Sequence, residues 1–168
     1  VNMALSTIGT NSIADDAVTA AKATGFGKVG QVVTATHATQ VNSTSTSFAD
    51  SGLTCNITPS ATTSKVLVII QQQLISDRDQ SDCYSRLRLL RESTSLLEFN
   101  KAQWDEAGDE GATKSGSLNS LSILDSPSSS SQITYHTEFA AGQTSNNGTA
   151  RCQHNNEMST IVLMEILA

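Results

Sequence analysis

The last ten residues, Ser159 to Ala168, read STIVLMEILA, an almost unbroken apolar run. Successive side chains of a strand point to opposite faces. Thr160, Val162, Met164 and Ile166 therefore share one face. Ile161, Leu163 and Leu167 share the other, and Glu165 is the only charge among them. A half-solvated strand alternates apolar with polar residues. This one does not, so both of its faces are expected to be covered. Lys65 to Ile75, KVLVIIQQQLI, behaves the same way in its first half. Little long helix is foreseen elsewhere, so the expected cover for the second face is another copy of the chain.

A length of 168 residues suits one domain with a short appendage. Aromatic residues are scarce at 4%, and Ser and Thr make up about a quarter of the chain. This β-branched, hydroxyl-rich and charge-poor composition predicts an all-β fold. A net charge of −6 disfavours nucleic acid as a ligand, because phosphate neutralisation needs a basic face. No apolar run approaches the ~18–20 residues of a membrane span, so no membrane insertion is expected. Val1 to Leu5 lacks the basic and apolar regions of a secretory signal, and Met3 is a candidate initiator. Cys55, Cys83 and Cys152 are widely spaced and odd in number, which reads as free thiols in a chain made in a reducing cytosol. Asn42-Ser43-Thr44, Asn56-Ile57-Thr58 and Asn147-Gly148-Thr149 match the glycosylation pattern. Without a signal they read as ordinary strand and loop sequence.

Residues 1–28 form a separate compositional unit, an expected neck or attachment arm. Ser12 followed by Asp15 is a possible helix start, with about two turns predicted over Asp15 to Ala23. So short a helix is marginal alone in water and needs packing partners. From residue 29 strand signals follow one another. Gln31 to Val41 alternates loosely. Gly52 to Thr58 places Leu53, Cys55 and Ile57 on one face. Val66 to Ile75 follows, then a charged loop from Asp77 to Asp82. In Cys83 to Arg91, Leu87 and Leu89 face inward, and Arg86 and Arg88 share the opposite face. Leu96 to Asn100, Ser117 to Asp125 and Gln132 to Ala141 are further strands. Asp105 to Gly116 and Ala141 to Gly148 are expected surface loops. Short strands at this spacing, without a βαβ rhythm, predict an antiparallel β-sandwich of the jelly-roll kind over residues 29–168.

No catalytic constellation is legible, and no cofactor is expected. His37, His136 and His154 are far apart and lack the spacing of a zinc helix. Asp77, Asp79 and Asp82 faintly resemble a calcium loop but lack its glycine and distal glutamate, so no metal is expected there. No Gly-x-Ser-x-Gly elbow and no phosphate-binding glycine loop occurs. Arg86 and Arg88 form a strand-face row, either an anion contact or a solvated row paired with nearby acids. The candidate contact residues are Arg78, Trp104, Asp105, Asp109, Asn146 and Asn147, all in or beside the three loops. The candidate subunit-interface residues are Ile8, Ile13 and Val18 in the neck and Ile161, Leu163 and Leu167 in the final strand.

Four landmarks in order carry a resemblance. They are Ile57-Thr58-Pro59-Ser60 leading into Ser64 to Val68; Leu87 to Ser93; Leu124 to Pro127 followed by Thr134 to Thr137 and Phe139; and Ser159 to Ile166. Together they resemble the C-terminal domain of small bacteriophage tail-fibre-like virion proteins, and Ser12 to Thr19 is similar to the start of such fibres. Glu92 stands where the resemblance leads one to expect glycine. The resemblance implies a homotrimeric jelly-roll head, similar to complement and tumour-necrosis-factor heads, on a virion appendage. It brings no catalytic residues. Its implied partners are copies of itself, other virion proteins through the arm, and a host-surface glycan. The expected role is a non-enzymatic tail or head fibre, made in the host cytoplasm and carried on the virion. The rivals are a free carbohydrate-binding module, a capsular depolymerase, and a capsid decoration or cement protein without a ligand.

Overall fold

The computed structural model describes residues 28–79, 83–104 and 113–168. The neck, with Ile8, Ile13 and Val18, lies outside the described residues. Ten strands occur among them: β1 (Lys28–His37), β2 (Val41–Ser43), β3 (Ala49–Ile57), β4 (Lys65–Arg78), β5 (Cys83–Arg91), β6 (Thr94–Trp104), β7 (Thr113–Asp125), β8 (Ile133–Ala141), β9 (Thr149–Cys152) and β10 (Ser159–Leu167). Single 3-10 turns cover Ser145–Asn147 and His154–Asn156.

The long strand β4 is the trunk of the first sheet. One of its edges pairs with β7 along its whole length, from Val66↔Asp125 to Arg78↔Thr113. The other edge pairs first with β10 and then with β9. Outside these lie β1, on β10, and β2, on β9. The second sheet runs β3-β8-β5-β6. All pairings are antiparallel. With β1 and β2 taken as one interrupted strand, and β9 and β10 as another, each sheet has four strands. Apart from the β5–β6 hairpin, each connection crosses between sheets, which is the winding of a jelly roll.

Strand alternation builds the core. Val66, Val68 and Ile70 of β4, with Ile161 and Leu163 of the neighbouring β10, face Leu53, Cys55 and Ile57 of β3 and Ile133 and Tyr135 of β8. A second cluster holds Leu74, Leu87, Phe139, Ala141, Ala150 and Cys152. Leu87 and Leu89 are inward, as their alternation with Arg86 and Arg88 predicts.

Between the two clusters runs a polar belt. Gln72, Ser51, Thr137, Gln153 and Ser159 are all fully buried. Gln72 Nε2 donates to Ser51 Oγ at 3.0 Å. Thr137 Oγ1 donates to Gln72 Oε1 at 2.7 Å. The Ser51 and Thr137 hydroxyls are 2.5 Å apart. In the amide orientation that satisfies all its neighbours, Gln153 donates to the carbonyls of Ser51 and Cys152. Its oxygen then accepts from Gln72 Nε2 at 2.9 Å and Ser159 Oγ at 3.0 Å. The belt thus ties β4, β3, β8 and the β9–β10 junction across both sheets. Gln153, Asn155 and Asn156 take positive φ, which lets the chain leave β9 and return as β10.

Two local details depart from expectation. The strand β4 continues to Arg78, so Asp77 is a strand residue rather than a loop residue, because β7 keeps pairing as far as Thr113. Glu92 takes a φ of 49° in the β5–β6 turn. That is the left-handed conformation for which glycine was expected. Its carboxylate also accepts from the Thr134 amide at 2.7 Å, tying the turn to β8.

Gln72→Ala should orphan the Ser51, Thr137 and Gln153 groups it now satisfies, at about 1–3 kcal/mol for each group left unpaired. Urea unfolding should show a clear loss of midpoint. The exposed change Gln132→Ala should stay within about 0.5 kcal/mol of the parent.

Candidate functional site

The sandwich has two chemically different ends. The chain enters at Lys28, which pairs with Leu167. At this end Glu165 is 1% exposed. Its Oε2 accepts from Gln31 Nε2 at 2.8 Å, and its Oε1 accepts from the Ser60 amide and hydroxyl, each at 2.6 Å. Gln31 also donates to the Thr58 carbonyl at 2.7 Å. Burial by itself would push the Glu165 carboxyl up. Hydrogen bonds from Gln31 and from the Ser60 hydroxyl and amide outweigh it and bring the group down to about 2. The carboxylate therefore staples β1 and the β3–β4 loop onto β10. Nearby, Arg91 Nη1 donates to both oxygens of Asp125, at 2.9 and 2.7 Å, and Tyr135 Oη donates to Oδ2 at 2.7 Å. This cluster joins β7 of one sheet to β5 and β8 of the other. Burial, then the Asp125 contact, pushes the Tyr135 phenol far up.

The opposite end gathers the predicted contact loops. Arg78 closes β4 and donates to Ser145 through Nε to the carbonyl at 3.3 Å and Nη2 to Oγ at 3.1 Å. Asn147 Nδ2 donates to Asp79 Oδ2 at 2.5 Å. Asp77 accepts from Arg151 Nη2 at 2.7 Å, and Lys114 Nζ lies 3.5 Å from it. Cys83 pairs with Trp104, and Arg78 with Thr113. The bases of the 78–83, 104–113 and 141–149 connections therefore meet at one end, away from Lys28.

The side chains revise several expectations. Arg78 is buried at 9% exposure and clamps the 145–147 turn, so it is a structural tie rather than a free contact residue. Asn147 is exposed, and its amide is held by Asp79. The backbones of Trp104 and Asn146 lie at this end. Asp82, Asp105 and Asp109 lie outside the described residues. Asp77 is neutralised by two cations, and Asp79 is spent on Asn147. Among the described residues no three His, Cys, Asp or Glu side chains come together as a metal site would need. Ile161 and Leu163 are fully buried in the sandwich core of a single chain, so they are not free to face a neighbour. The outward side of β10 carries Thr160, Val162, Met164 and Ile166 instead. Leu167 is partly buried at the end where the chain enters.

The arginine row is consumed within the chain. The Arg86 and Arg88 guanidinium carbons lie 4.6 and 4.1 Å from the Phe48 ring centroid. Arg88 also donates to Glu138 Oε2 from Nε at 2.8 Å, and Arg86 donates to the Thr46 carbonyl. The row thus fastens the β2–β3 loop to the second sheet. The three histidines are dispersed. His37 lies against Gly52, whose φ of +81° and missing Cβ leave room for the ring. His136 Nε2 sits 3.9 Å from Glu138, and His154 contacts Gln40. Burial pushes the Cys55 and Cys152 thiols up, keeping both protonated.

The strand order and layered core define the class: a jelly-roll β-sandwich. No family model matches the chain. No curated protein matches it either. Among solved structures, latent PorU from Porphyromonas gingivalis is similar at 7% identity and a TM-score of 0.39, over 80% of this chain and 13% of that one. The EclA C-terminal domain, described as a sugar-binding protein, is similar at 10% identity and 0.32, over 73% and 77%. The VP2 subviral particle of infectious bursal disease virus is similar at 17% identity and 0.34, over 82% and 38%. The chain thus spans a small part of PorU and well under half of VP2.

Glu165 supplies a test in acid. Its unfolded carboxyl titrates near 4.5 and its folded one near 2. The stabilisation is complete above pH 4.5 and is lost as pH falls towards 2. Glu165→Gln should be less stable at pH 7 and should lose less stability between pH 4.5 and 2. Urea midpoints across that range read the slope, and equal slopes in both proteins would contradict the assignment.

Proposed function

We propose that the chain is a non-enzymatic virion structural protein, the head of a homotrimeric phage tail or head fibre. One observation carries this reading: the molecule is polarised. The N-terminal 27 residues join at Lys28, beside the Glu165 staple, and the bases of the three predicted contact loops meet at the opposite end. A head held at one end and touching at the other needs this separation. Arg78, Asp77 and Arg151 are spent on fixing that distal end, which leaves the loop tips to carry recognition. Residues 3–28 are the attachment arm in this reading. Three weak contacts on one particle gain avidity without any strong individual site, and a host-surface glycan is the kind of ligand such loops would meet.

Virions whose copy of this chain lacks residues 3–28 should not carry the protein, although the shortened chain should keep its strand signature by circular dichroism. Quantitative mass spectrometry of purified particles reads incorporation. Normal incorporation of the shortened chain would refute the role of the arm.

A further inference from the structure

The strand that carries the arm answers differently to pulls in different directions. β1 runs from Lys28 at the entry end towards the middle of the sandwich, and β10 runs back beside it. Lys28 therefore pairs with Leu167, and His37 with Ser159. On the far side of β10, β4 runs from Lys65, opposite Ile166, to Arg78 at the loop end. The hydrogen bonds of an antiparallel pair lie perpendicular to its strands. A pull on Lys28 directed away from the loop end acts along β1, across all of those bonds, and loads them together. A pull that separates Lys28 from Leu167 opens the same pairing from one end and loads the bonds in turn. Bonds loaded together resist far more force than bonds loaded one after another.

Two contacts lock β1 against sliding. Its register with β10 shifts between Val29 and Val32, which places a bulge at Gly30 and Gln31. A Cβ on Gly30 would lie 2.9 Å from Leu167 Cδ2 and 3.0 Å from Glu165 Oε2, so the glycine lets β1 close over the carboxylate. Bulges re-aim side chains. Here Gln31 Nε2 reaches Glu165 Oε2 at 2.8 Å and the Thr58 carbonyl at 2.7 Å. Glu165 also holds the Ser60 amide and hydroxyl. A sliding β1 must therefore break from β10 and from the β3–β4 loop at once. At the other end of β1 the His37 ring occupies the space a Cβ on Gly52 would fill. Gly52 belongs to the second sheet and lies at the register shift of β3. Between the two locks, Val33 and Ala35 pack against the core. A slip of one residue would turn both of them outward.

We infer that β1 is a shear clamp, which passes tension on the N-terminal arm into the sandwich. The Gln31–Glu165 contact is its near lock and His37 in the notch at Gly52 is its far lock. The inference rests on the reading above, that the head is held at one end and touches at the other, because the line between those points runs along β1. Resistance to force is then distinct from overall stability, since forced unfolding is governed by the unfolding barrier rather than by the equilibrium.

Optical-tweezers pulling of the full chain tests the inference. One handle is fixed at Val1. The other is at Thr144, an exposed residue of the loop end, or at Ala168, beside Leu167 at the entry end. At one loading rate, the Val1–Thr144 geometry should need several times the force of the Val1–Ala168 geometry. Gln31→Ala, which removes the near lock, should lower the force in the first geometry. Arg88→Ala removes the pair with Glu138 on the second sheet. It should lower the urea midpoint and leave that force unchanged. Equal forces in the two geometries would overturn the clamp. A loss of force in Arg88→Ala as large as that in Gln31→Ala would overturn the lock, because force would then follow overall stability. High shear resistance in a head that virions still carry without residues 3–28 would leave the clamp standing and overturn the role of the arm.

Discussion

The fold turns on one buried amide. Gln72 sits midway along the trunk strand and meets hydroxyls from β3 and β8 and the side-chain oxygen of Gln153. An apolar core would hold two sheets together at many relative positions, since dispersion and burial are non-directional. Directional bonds reaching from one sheet to the other allow a single register. The apolar clusters above and below the belt supply the driving force, and the belt selects which pairing they adopt. A one-residue slip of β4 would turn Gln72 out to solvent and leave Ser51, Thr137 and Gln153 without partners.

The same economy governs the charged residues. Glu165 is spent on closing the end where the chain enters, Asp125 on joining the sheets, and Arg78 and Asp77 on shaping the distal end. Arg86 and Arg88 hold a crossing loop against the second sheet. On the outer face of the first sheet this network is confined to the distal rim, where Asp77 meets Lys114 and Arg151. The middle rows of that face are uncharged, whereas the outer face of the second sheet carries Arg86, Arg88 and Glu138.

Much of the fold was legible in the sequence, because alternation is a strong signal where one face is apolar. Leu53, Cys55 and Ile57 announce an inward face, as do Leu87 and Leu89 beside Arg86 and Arg88. The final strand defeats that logic: Ile161 and Leu163 on one side and Val162, Met164 and Ile166 on the other are equally apolar. Local pattern expects both sides to be covered but cannot say which side is the core. Only the pairing of Leu163 with Val68 and of Ile161 with Ile70 decides it. Gln72, Arg78 and Glu165 were hidden for a different reason, since polar residues are ordinarily read as solvent-facing. Parity held their signal: Gln72 and Arg78 continue the inward series of Val66, Val68 and Ile70, and Glu165 continues that of Ile161 and Leu163. The expected loops Asp77–Asp82 and Asp105–Gly116 overlap strand residues at Asp77, Arg78 and 113–116, because β4 and β7 keep pairing there, and the meeting of the loop bases at one end follows from the winding of the strands and has no local signature.

The central proposal is that three copies of the chain assemble into one head. Sedimentation velocity of the unmodified full chain over a dilution series tests it most directly. The account expects one boundary at 53.1 kDa, three times 17.7 kDa, that shifts to lighter species only at high dilution. A single 17.7 kDa species at every concentration would contradict it.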